Sequence, residues 1–123
     1  MTGSTFTMHG GTISHNTAQW GGGVFVGSGG TFNMRGGTIS GNSSTGDGGG
    51  VQNWGTFRIS DGIIHGDDAA MNERNTASSG AALSQRGGTA LHGTFNVLGG
   101  FSSRGVLSTS EVTIHVLDGD LRP

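Results

Sequence analysis

The stretch TFNMRGGTISGN, residues 31–42, is nearly a second copy of TFTMHGGTISHN, residues 5–16, and this self-similarity decides the fold. Its first half, a T-Φ-x-Φ-x-[GD]-G module in which Φ is apolar, returns as TFRISDG from Thr56 and TFNVLGG from Thr94. A weaker version, TIHVLDG, starts at Thr113, so successive copies are 26, 25, 38 and 19 residues apart. TISHN, TISGN and IIHGD follow the first three copies. GGGV recurs at Gly21–Val24 and Gly48–Val51, with GAAL at Gly80–Leu83 as its altered descendant. Such a period marks a repeat architecture whose units stack to bury their apolar face.

Each unit holds three short segments divided by glycine-rich corners. Phe6 and Met8 alternate with Thr5 and Thr7, the two-residue period of a strand with one buried face. At three to six residues the segments suit strands and are too short for helices. The pattern predicts an all-β fold, a parallel β-helix (solenoid) of about 4–5 coils with three short strands per coil and one longer loop. At about 4.8 Å per coil the stack is roughly 20–25 Å long. The general handedness of parallel crossovers makes it right-handed. The chain reads as a single domain over 1–123: regular coils in 1–66, an irregular loop-bearing coil in 67–93 and the last coils in 94–123.

The same register stacks like on like. Phe6, Phe32, Phe57 and Phe95 are expected to form one column, continued by Ile114. Met8, Met34, Ile59, Val97 and Val116 form a second, and Ile13, Ile39 and Ile64 a third. Asn16, Asn42 and Asp67 fall at one corner, where stacked amides can bond each other and the backbone along the axis.

Composition agrees with a thin core closely approached by backbone. Strictly apolar residues are 31% of the chain, and glycine alone fills 27 of 123 positions. Net charge is −2, with six basic residues, all Arg, so no polybasic footprint for nucleic acid is present. Cysteine is absent, which removes disulfide and thiol chemistry. No apolar run reaches the length of a membrane span, so no membrane insertion is expected. The opening MTGSTFTMHGG lacks a basic segment followed by an apolar one, so no signal peptide is read there.

GGTISGN and GGGVFVGSGGTFNMRGG resemble repeats of adhesin-like bacterial surface proteins with right-handed parallel β-helix domains. They are distantly similar to the repeats of chlamydial-type polymorphic outer-membrane proteins. The resemblance covers 1–66 well and 94–118 loosely. It implies a structural or adhesive module at the cell surface or outside the cell, usually part of a longer stalk.

Regularity fails between Asp67 and Gly93, where the period lengthens to 38 residues. Within it DAAMNER has the composition of a turn or two of helix. Insertions in repeat proteins map to loops on one face and often carry function, although a merely tolerated insertion is the plainer reading. HGDD, residues 65–68, resembles the adjacent aspartate pair of β-helical pectin-degrading hydrolases, a resemblance that implies Asp67, Asp68, His65 and the nearby Asp61 as catalytic candidates, an inverting carboxyl pair needing a gap that admits water. A carbohydrate-active protein using the Asp61–His92 region is therefore the alternative to a non-catalytic module. Against it, Asp67 already has a structural place at the asparagine corner, and so short a stack offers little groove.

Arg86 and His92 in the following loop are ligand-binding candidates, together with Trp20, Phe25 and Trp54, whose rings can stack on sugars. Trp20 and Trp54 are out of register with each other, so the plainer reading has each covering a corner. Asp-Gly pairs at 66–68 and 118–120 gather oxygens but reproduce no full calcium loop and are ordinary turn formers. The five histidines lack zinc-ligand spacing, so no metal site and no cofactor is expected.

One row of threonines (Thr5, Thr31, Thr56, Thr94, Thr113) raises ice binding as a third reading, but Arg58 and His115 break the row beside it. A polysaccharide or other surface ligand is the expected partner, with end-to-end or homo-oligomer contact through uncapped coils as a further possibility.

Overall fold

A computed structural model describes residues 3–67, 69–85, 94–97, 102–103 and 116–122. All regular structure among them is strand. The first unit supplies β1 (Thr5–Met8), β2 (Thr12–Ser14), β3 (Thr17–Ala18) and β4 (Val24–Val26). The second supplies β5 (Thr31–Met34), β6 (Thr38–Ser40), β7 (Ser43–Ser44) and β8 (Val51–Asn53). The third supplies β9 (Thr56–Ile59), β10 (Ile63–Ile64) and β11 (Leu83–Gln85). They are followed by β12 (Thr94–Val97), β13 (Ser102–Ser103), β14 (Val116–Leu117) and β15 (Leu121–Arg122).

Each unit contributes one strand to each of three stacked sheets, ordered β1-β5-β9-β12, β13-β15-β10-β6-β2 and β14-β11-β8-β4. β3 and β7 form a fourth, two-stranded sheet. Pairing between units is parallel and in the register the repeats predict. Thr5, Thr31, Thr56 and Thr94 are aligned, and so are Phe6, Phe32, Phe57 and Phe95. Ile13, Ile39 and Ile64 line up in the second sheet, and Val24, Val51 and Leu83 in the third.

Period-two alternation explains the core. Phe32, Met34, Ile39, Val51, Phe57, Ile59, Ile64 and Leu83 are fully buried, each stabilising the fold by about 1.5–3 kcal/mol through the area removed from water. The Phe32 ring lies between those of Phe6 and Phe57, with centroids 5.2 Å apart on both sides and interplanar angles of 9° and 16°. Phe6, on the outermost described strand of its sheet, is 38% exposed. Close stacking requires glycine at the corners. Gly37 has φ 93°, and a Cβ there would lie 2.7 Å from the Gly11 carbonyl oxygen of the unit before.

A ladder of side-chain amides runs along one corner. Asn16 Nδ2 donates to Asn42 Oδ1 at 3.1 Å, and Asn42 Nδ2 donates to Asn75 Oδ1 at 3.0 Å. The same oxygens accept the backbone N–H of Asn16 and of Asn42. Asn42 Nδ2 and Asn75 Nδ2 also donate to the carbonyls of Ile13 and Ile39, tying each rung to the preceding unit. The rung assigned from sequence to Asp67 belongs to Asn75. Asp67 is exposed, and its backbone N–H bonds the Asp118 carbonyl. Residues between Asp67 and Asn75 form the insertion that displaces the corner. DAAMNER makes no helix there: Glu73 and Arg74 both donate to the Ala70 carbonyl, a single turn too short to propagate.

The C-terminal segment departs from expectation. Rather than adding a parallel coil with Val116 over the methionine column, β14 runs antiparallel to β11, with Val116 opposite Ser84 and Leu117 opposite Leu83. β15 runs antiparallel between β10 and β13, which puts Leu121, fully buried, against Ile64. The turn Asp118–Asp120 fixes this reversal. Asp118 Oδ1 accepts the N–H of Gly80 at 3.0 Å and of Ala81 at 3.1 Å, and Asp120 Oδ1 accepts that of Gly66 at 2.7 Å. Ile114 and Thr113, read as part of the same coil, lie outside the described residues.

Asp118→Ala removes the acceptor from two N–H groups at once. It is expected to cost about 1–3 kcal/mol and to speed amide exchange at Gly80 and Ala81 selectively. Unchanged exchange at both would show that the turn is held by its backbone alone.

Candidate functional site

The region around His65 is built by β10 and the two turns that meet behind it. His65 follows Ile64, so strand alternation turns its side chain off the core, where it is 13% exposed. Its Nε2 lies 3.4 Å from Glu73 Oε2 and its Nδ1 3.4 Å from Asp120 Oδ1. Nδ1 makes no hydrogen bond among the described residues. Asn75, the last rung of the ladder, donates to the His65 carbonyl at 2.6 Å.

Of the carboxylates proposed with His65 from sequence, the described Asp61 and Asp67 do not pair with this imidazole, which faces Glu73 and Asp120. Asp61 is exposed and closes its own corner, accepting the Gly62 N–H at 2.8 Å. Asp67 is bound through its backbone only, and Asp68 lies outside the described residues. Glu73 and Asp120, which do face His65, were not singled out beside it, because one sits in the insertion and the other 55 positions along the chain. Asp120 is also engaged with the Gly66 N–H, and Asp118 with two others. These carboxylates therefore act as turn caps. Among the described residues no group of three or more His, Cys, Asp or Glu side chains is placed to hold a metal ion.

A second locus is aromatic. Trp20 and Trp54 are offset in strand register, as the sequence indicates, yet their rings meet at 6.5 Å and 40°. Phe25, turned outward between the buried Val24 and Val26, packs on Trp54 at 5.6 Å and 53°. Gly46 allows this meeting: a Cβ there would sit 2.7 Å from Trp20 Cδ1, so the indole lies across bare backbone. Trp20 remains 46% exposed. Gln52, the register partner of Phe25, is buried with its Oε1 unpaired. Arg86 and His92, the other candidates for ligand contact, lie outside the described residues.

A third locus is the outer face of the first sheet, where Thr31, Asn33 and Arg35 alternate with the core positions of β5, and Thr56, Arg58 and Ser60 with those of β9. Asn33, Arg35, Arg58, Ser60 and part of Met34 line a cleft there. The threonine row survives in register from Thr5 to Thr94, while the neighbouring row reads Thr7, Asn33, Arg58 and Asn96. Comparison with protein-family models, curated proteins and solved structures finds no match.

Proposed function

We propose that this chain is a right-handed parallel β-helix serving as a structural and adhesive module of a surface-exposed or secreted protein. The observation that carries the reading is the self-stacking of equivalent side chains. Phenylalanine rings at 5.2 Å, isoleucines and asparagine amides each align across units, which suits a rigid spacer that presents flat faces to solvent. The carboxylates best placed for chemistry are instead bound to backbone N–H groups.

One experiment separates this from a carbohydrate-active enzyme. The folded protein is passed over immobilised polysaccharides while the release of reducing ends is followed. Retention without cleavage is the expected result. Cleavage that disappears in His65→Ala, with the fold intact, would sink the module reading in favour of the enzyme.

The aromatic cluster adds a glycan-binding aspect to the same reading. Trp20→Ala, at a half-exposed ring, is expected to weaken retention on a neutral β-glucan by about tenfold, a loss of about 1.4 kcal/mol. Thermal stability should change little. Affinity chromatography of the variant beside the parent measures it, and equal retention would remove the cluster from the binding face.

A further inference from the structure

The first sheet has a face whose charge does not match the rest of the chain. The molecule carries a net charge of −2, yet the outward positions of β1, β5 and β9 are threonine hydroxyls, the Asn33 amide and Arg58, without a single acid. Thr5 and Thr7, Thr31 and Asn33, and Thr56 and Arg58 alternate with the inward Phe and Met or Ile positions, and His9, Arg35 and Ser60 follow the three strands. Asn33 is the register partner of Arg58, so Arg35, one position past the end of β5, lies diagonally across from Arg58 on β9. With strands about 4.8 Å apart and a rise of about 3.3 Å per residue, such positions stand on the order of 8 Å apart, within reach of two long guanidinium side chains for one group between them. Both arginines are exposed, and neither forms an ion pair among the described residues. The cleft between them, lined by Asn33, Ser60 and part of Met34, holds about 140 Å³.

We infer that this cleft binds the anionic group of an acidic polysaccharide, a uronate carboxylate or a sulfate ester, with the threonine row of the same face meeting the neighbouring sugar hydroxyls. Two planar guanidinia offer bidentate donation to a carboxylate or sulfate that lysines would not match. Asn33 and Ser60 add neutral donors at the same cleft. The flat, in-register face sets hydroxyls about 4.8 Å apart along the stack, so a chain laid along the axis meets a repeated partner. Two guanidinia are too few for a phosphate backbone, whose binding rests on many simultaneous contacts. This deepens the adhesive reading by naming a charged ligand class, and it concerns a different sheet from the aromatic cluster.

The test is direct binding of the full chain to polygalacturonate and to heparin, with dextran as neutral control, inorganic sulfate as competitor and duplex DNA as alternative polyanion. Binding that weakens with rising salt is expected for the two acidic polysaccharides and not for dextran. Arg35→Ala and Arg58→Ala should each reduce affinity about tenfold, the double variant should abolish binding, and Arg35→Lys should recover part of it. Sulfate should compete only at concentrations far above those of the polymer, which separates a polysaccharide site from a site for the free ion.

Both side chains are exposed, so the melting temperature serves as the folding control. Should Arg58→Ala within β9 lower it, Arg35→Ala, beyond the end of β5, carries the test. Full binding by the double variant, equal binding of dextran, tighter binding of DNA or equally strong binding of free sulfate would each overturn the inference. If the acidic polymers fail while the β-glucan is still retained through Trp20, only this site falls and the adhesive reading stands.

Discussion

Phe32→Ala is expected to lower stability by about 3–5 kcal/mol, the usual loss for a fully buried ring truncated to a methyl group. Typical domains hold only 5–15 kcal/mol in reserve, so the variant should unfold well below the parent temperature. The size follows from position. Phe32 is fully buried and touches a ring on each side, so its removal breaks two stacked pairs and leaves a void spanning the middle unit. The contrast is Phe6→Ala: that ring is 38% exposed and has one stacking partner, so the loss should be less than half as large. Thermal unfolding of the two variants measures the difference, and equal losses would show that the column is not the spine of the core.

Asn42→Ala is the second large effect, expected at about 3 kcal/mol from several bonds lost together inside the protein. Asn42 is buried, and its amide touches three units: it accepts from Asn16 and donates to Asn75 and to the Ile13 carbonyl. Alanine leaves the Asn16 backbone N–H and the Ile13 carbonyl without these partners. Asn16→Ala, at the exposed end of the ladder, removes far less and should cost below about 1 kcal/mol. Chemical denaturation of both variants checks the pair. A small effect at Asn42 would mean that water replaces the rung.

The register of the first three units was legible because a buried Phe and a buried Met or Ile recur at one offset from threonine, and a single-residue slip would turn both to solvent. The third rung of the ladder is also written in the sequence. Asn75-Thr76-Ala77 repeats Asn16-Thr17-Ala18 and precedes GAAL as the latter precedes GGGV, so the corner could have been found by working back from the third module. Counting forward from IIHGD led instead to Asp67, because an insertion shifts every position after it.

Strand direction at the end of the chain was not legible. Alternation at Val112, Ile114 and Val116 reads identically for a parallel and an antiparallel strand. What reverses the segment is a set of bonds in which Asp118 and Asp120 accept from N–H groups 37 to 54 positions away. The meeting of Trp20 with Trp54 was hidden for a related reason. Reading along columns pairs only aligned residues, whereas a long indole crosses between them over Gly46.

The amide ladder also carries a direction. Asn16 donates to Asn42 and Asn42 to Asn75, always toward the later unit, so every junction has the same donor side and the same acceptor side. Residues 16–41 span one 26-residue period and open and close at equivalent points of that sequence of bonds. A tandem duplication of this block therefore meets the junctions it already fits, while an inverted one would set acceptor against acceptor. Length in such a molecule is an inheritable variable that can change by whole units through simple copying, without any residue having to acquire a new neighbour.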